Sequence, residues 1–135
     1  MTRYAEGTSV SVDKSKAEIE ATLRRFKAEG FACGWSGDRA MIGFKCQGRQ
    51  FRMTLQLPDR RARVFTHRRR PDWKLRSESE AERHWEQACR ERWRALALIV
   101  KAKFAAVEAG VTSFEDEWLA FTVLPNRSTV AEHVG

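Results

Sequence analysis

No apolar run in this 135-residue chain approaches the ~18 residues needed to cross a bilayer. The opening "MTRYAEG" lacks the apolar core of a signal peptide. A soluble protein of the cytoplasm is therefore expected, with no membrane partner. Cysteine is scarce: Cys33, Cys46 and Cys89 form no CxxC and sit in apolar patterns, so buried free thiols in a reducing compartment are expected. Histidine is equally scarce. His67, His84 and His133 stand at no metal-ligand spacing from one another or from a cysteine. No glycine-rich phosphate loop, GxSxG elbow or Walker-type lysine is present. Glu115, Asp116 and Glu117 are adequately explained as acids in the first turn of a helix. No enzyme, metal or cofactor is expected.

What the chain does have is charge in one place. The net charge is +7 and 32% of residues are charged, against 42% apolar. The apolar share is enough for a packed core, and the length suits one domain, residues 1–135. Residues 59–77 carry eight basic side chains (Arg60, Arg61, Arg63, Arg68, Arg69, Arg70, Lys74 and Arg76) against Asp59 and Asp72. Nearly the whole surplus lies there, and the rest of the chain is close to neutral. A segment this basic, with arginine dominant, favours an acidic partner, because the guanidinium fork grips phosphate and stacks on bases.

The flanking sequence predicts an α+β fold. Residues 8–12, "TSVSV", alternate and predict a first strand with Val10 and Val12 inward. Ser15 and Glu18 stand at capping-box spacing before a helix carrying Ile19, Leu23 and Phe26, with Gly30 as its left-handed end. "FACGWSGDRAMIGFKCQGRQFRMTLQLP" then predicts a three-stranded meander turning at Gly37–Asp38 and Gln47–Gly48. Its inward residues are Phe31, Cys33, Trp35, Ala40, Ile42, Phe44, Cys46, Phe51, Met53, Leu55 and Leu57. An antiparallel sheet of four strands results, or five if "VFT" at 64–66 also extends. The other sheet face presents small, polar or basic residues, either as a plain wet face or as a platform that a nucleic-acid backbone can approach.

A long helix from about 78 to 109 repeats Trp85, Cys89, Trp93, Leu96, Val100, Phe104 and Val107 at steps of four and three, and Gly110 caps it. Buried on the sheet, it supplies most of the core. Arg90 and Arg94 lie on its other side, as a solvated face or as an extension of the basic site. Residues 111–135 predict a helical arm, starting at Ser113, that packs on the long helix.

"TSVSVDKSKAEIEATLRRF", "WSGDRAMIGF", "WEQACRERWRALALIVKAKFAAVEAGVTSFEDEWLAFTVLP" and "RSTVAEHV" together resemble a group of small proteins encoded in bacteriophage and prophage genomes. The resemblance covers most of the chain. It implies a phage accessory protein acting in the host cell, and it transfers no functional residue.

Two functions follow as expectations. The first is binding of DNA or RNA, led by the phosphate backbone and weak in sequence preference, through residues 60–76. Phe65, His67 and Trp73 are the aromatic candidates for base stacking. Phe65 belongs to the core if 64–66 is a strand, and Trp73 is either a core anchor or a stacking surface. The second is an inhibitor or adaptor that docks on a host or phage protein complex, such as a defence complex. That alternative rests on the resemblance. Either a monomer or a homodimer is compatible with both.

Overall fold

The computed structural model describes residues 5–68 and 72–135. Helix α1 (Val12–Arg25) precedes an antiparallel meander of β1 (Gly30–Ser36), β2 (Arg39–Cys46) and β3 (Arg49–Gln56). The one-turn helix α2 (Arg63–Thr66), the long helix α3 (Glu78–Glu108), α4 (Phe114–Trp118) and α5 (Val130–Val134) follow. This is the α+β class, with three strands among the described residues.

The meander closes by two-residue turns, which pair Ser36 with Arg39 and Cys46 with Arg49. Gln47 and Gly48 both take positive φ, 53° and 75°. That combination matches the right-handed twist of the flanking strands. Ala40, Ile42, Phe44 and Cys46 of β2 and Phe51 and Met53 of β3 form the floor of the core. Ile19 and Leu23 of α1 and Trp93, Ala97, Val100 and Phe104 of α3 cover it. Trp118 of α4 is fully buried and meets Phe44 edge-on at 5.1 Å. By a rise of 1.5 Å per residue α3 is about 46 Å long, and its apolar stripe is the main roof.

Several expectations are corrected. Residues 8–11 are not a strand. Thr8 Oγ1 accepts the Val10 N–H, and Ser11 is the N-cap of α1, its Oγ accepting the Lys14 N–H at 3.1 Å. Local side-chain acceptors thus divert this stretch from a ladder. Ser15 lies inside α1 and is fully buried. The helix ends on Lys27, at φ 65°, with the Ala28 N–H reaching the Leu23 carbonyl, and Gly30 opens β1 instead. The Gly110 cap at φ 76° stands as expected. "VFT" is helical, because Phe65 and Thr66 both donate to the Ala62 carbonyl. Cys33 and Trp35 share the inward face of β1 yet are exposed, Trp35 at 76%, since the helical roof sits over β2 and β3.

The C-terminal arm does pack on α3: the Lys103 ammonium is 3.1 Å from Glu117. It also closes the β3 edge of the sheet. Thr122 bridges Phe51, and the Val123 N–H donates to the Gln50 carbonyl at 2.8 Å. Arg52 Nη2 fastens the far end, 2.9 Å from the Arg127 carbonyl and 2.7 Å from Glu132 Oε1. The Thr129 N–H and the Arg52 guanidinium together hold the Glu132 carboxyl below the usual glutamate range.

Candidate nucleic-acid interface

The described part of the basic segment, residues 59–68 and 72–77, is folded rather than loose. Asp59 Oδ1 accepts the Arg61 N–H at 2.9 Å, and α2 then buries Phe65 to 9% exposure. A narrow two-stranded ribbon follows. The Arg68 N–H donates to the Lys74 carbonyl and the Arg76 N–H to the Thr66 carbonyl, both at 2.7 Å, and His67 bridges Leu75. The Arg76 guanidinium lies 3.0 Å from the carbonyl oxygens of both Val64 and Phe65. It satisfies the orphan acceptors at the end of α2. The ribbon sets Arg68 opposite Lys74. Arg69 and Arg70 lie outside the described residues.

The cations of this segment fall into two groups. Arg60 lies along the surface of α3: it is 2.5 Å from Glu82, and its guanidinium is 3.9 Å from the Trp85 ring centroid. Trp85 is itself tied to the segment by an N–H bond to the Pro58 carbonyl. Arg60 thus holds the loop on α3, and Arg76 closes its far end on α2. Arg61, Arg63 and Arg68 are exposed, and no carboxylate lies within 4.0 Å of them among the described residues. Lys74 has only Asp72, at 4.0 Å, with both side chains wet. Of the aromatic candidates, Phe65 is a core anchor. His67 pairs its Nδ1 with Thr66 Oγ1 at 2.7 Å. Trp73 stays 39% exposed, with the Arg63 guanidinium 4.8 Å from its ring centroid. Its φ of 57° is an outlier for so bulky a residue and costs about 1–2 kcal/mol.

Arg90 and Arg94 sit elsewhere. Arg94 is nine residues past Trp85, about half a turn around the helix, on the flank facing α1. It pairs with Glu18, which Lys101 also approaches at 3.7 Å. Burial pushes the Glu18 carboxyl up, but Arg94, then Lys101 and Lys14, outweigh it and hold the group below the usual range. Arg90 donates to Gln87 Oε1 at 2.9 Å, and Gln87 in turn donates to the Thr8 carbonyl. These two arginines fasten the N-terminal segment and α1 to α3, and the structure does not bring them to the basic loop.

A second cationic surface is the outer sheet face. It forms the floor of an open trough of about 1170 Å³, walled by residues 122–125 and Arg127. A Cβ at Gly34 would meet nothing within 4 Å, and one at Gly43 only the Phe51 carbonyl at 3.6 Å, so neither glycine is demanded by internal packing. Lys45, Arg49, Arg52 and Arg127 line the trough, Arg52 with its charge already met by Glu132. Residues 30–56 contain a single acid, Asp38, in a turn. The Arg127 wall comes from the arm, so strand patterns alone miss it. The lack of carboxylates along three strands was the available signal.

Among the described residues, no group of three or more His, Cys, Asp or Glu could hold a metal ion. No described helix is long and apolar enough to cross a membrane. Comparison of the chain with family models, curated proteins and solved structures finds no match.

Proposed function

We propose that the protein binds nucleic acid, chiefly through the phosphate backbone, with the 59–77 loop as its contact. Arg61, Arg63, Arg68 and Lys74 meet phosphates, and Arg69 and Arg70 join them by their place in the sequence. Trp73 offers its face to an unpaired base. The observation that carries this reading is the Arg63–Trp73 pair. An exposed aromatic is held in a strained backbone conformation beside a cation that no described carboxylate neutralises. Phosphate is gripped by the charge and a base by the ring, at about 1–3 kcal/mol per stacked base. Binding of this kind reads backbone more than sequence.

The test is fluorescence anisotropy of a labelled single-stranded oligonucleotide with the wild type and an Arg61→Ser, Arg63→Ser, Arg68→Ser variant. The wild type should bind at low salt, and the variant should bind about a hundredfold more weakly while melting at the same temperature. Equal affinity of the two, or no binding by either, would count against the proposal.

A second reading is favoured by exposed apolar side chains on the same loop, Val64 at 62% and Leu75 at 73%. It makes the loop a dock for an acidic protein, in keeping with an inhibitor or adaptor encoded by a phage and acting on a host complex. A partner captured from host lysate that survives nuclease treatment supports it. A partner released by nuclease supports the nucleic-acid reading.

A further inference from the structure

We propose that two copies of this chain join through their β1 edges, antiparallel and centred on Cys33, to make one six-stranded sheet. This inference does not rest on nucleic-acid binding. It begins from which backbone groups of β1 have no partner among the described residues. The two-residue turn pairs Ser36 with Arg39, and such a closing pair exchanges both its hydrogen bonds. Alternation then directs the N–H and C=O groups of Ser36, Gly34, Ala32 and Gly30 to β2. Those of Phe31, Cys33 and Trp35 point away from the sheet. The same alternation carried through to β3 aims the Gln50 carbonyl outward, where Val123 takes it.

The three outward residues are symmetric about Cys33, the middle of the seven-residue strand. A two-fold axis at Cys33 sets Phe31 of each copy opposite Trp35 of the other and Cys33 opposite itself. Every outward donor then meets an acceptor. The side chains of these residues lie on the face shared with the core, so Trp35, 76% exposed in one copy, gains the partner's Phe31 as a cross-strand neighbour.

The symmetric order of β1 points to a second copy as the occupant. Each chain carries +7, which opposes self-association, and this uncharged strip is where two copies can meet with no cation facing another. "GFACGWS" has no charged residue and no proline, whereas natural edge strands are ordinarily blunted by such residues. Area points to a weak but specific dimer. The exposed part of Trp35 brings on the order of 150–200 Å² per copy. Phe31, Cys33 and the strand backbone add to it, which puts the interface at the small, weak end of the range, on the order of 1,000 Å² in total or below. The trough on the outer face is open to β1, where residues 30–34 line it. Pairing would set two troughs side by side as one continuous platform.

The test uses the full chain in sedimentation equilibrium, alongside a short bismaleimide, which reacts where two thiols are close. Cys33 is the exposed cysteine, while Cys46 and Cys89 are buried. The wild type should be a dimer with a dissociation constant in the micromolar range. It should cross-link through Cys33, and Cys33→Ser should lose the cross-link but keep the dimer. Trp35→Lys should raise the dissociation constant at least tenfold. Should Trp35→Lys fail to fold, the wild-type cross-link still decides the register. A wild type that stays monomeric at several hundred micromolar would overturn the proposal and leave the edge bare or open to a foreign strand. A dimer that ignores Trp35→Lys, or whose Cys33 thiols do not cross-link, would place the interface elsewhere and overturn it equally.

Discussion

Two clusters of arginine on this molecule look alike in sequence and differ in what surrounds them. On the α1 flank of α3, Arg94 meets Glu18 and Arg90 meets Gln87. On the 59–77 loop, Arg61, Arg63 and Arg68 meet no described carboxylate. The first cluster is adhesive for the fold, and the second is left for something outside it. The count of cations does not distinguish them; the partner of each guanidinium does, a carboxylate for Arg94 and an amide oxygen for Arg90. Even within the loop the split recurs, since Arg60 and Arg76 tether the segment that presents the others.

The comparison breaks if the two clusters trade roles. The largest separation is expected from the loop. Replacing Arg61, Arg63 and Arg68 with serine should flatten the dependence of log K on log salt by about 3, roughly one per lost phosphate contact, with the melting temperature unchanged. Trp73→Ala should weaken single-stranded binding by about 1–3 kcal/mol and duplex binding much less, as paired titrations would reveal. Arg94→Ala should do the reverse, leaving nucleic-acid affinity alone while lowering unfolding free energy by about 1–2 kcal/mol in urea melts, discounted because the pair is partly wet.

The smallest effect sharpens the same contrast by pH. The folded-state value of Glu18 is depressed, so its stabilisation is complete above the ordinary glutamate range and fades as pH falls through the depressed value. The stability gap between wild type and Arg94→Ala should therefore close on acidification, and should not change between neutral pH and pH ~6. Glu132, lowered by Thr129 and Arg52, obeys the same sign. The arm over β3 should therefore loosen over the same acid range, seen as a lower amide protection factor at Val123 once the intrinsic exchange rate at each pH is divided out.

The meander and the α3 stripe were legible because their periods of two and of three-to-four persist for many residues. Phe44, Phe51, Trp93 and Phe104 are buried as that periodicity requires. The ends of elements were less legible. Ser11 and Ser15 are both plausible caps, and only the first turn's actual hydrogen bonds decide between them. Alternation assigned Trp35 and Cys33 a face but could not tell that no helix covers it. The loop's charge was plain in the sequence. Which cations are neutralised was not, because Glu82 and Glu18 are 22 and 76 positions from the arginines they meet.

The most direct measurement is the affinity of the wild type for an oligonucleotide across rising salt. If the loop cations Arg61, Arg63, Arg68, Arg69, Arg70 and Lys74 all contact phosphates, log K should fall against log salt with a slope of about −5.4 for duplex and about −4.2 for single strands. A flat response, or no binding at the lowest salt, would contradict a loop whose charges face nucleic acid.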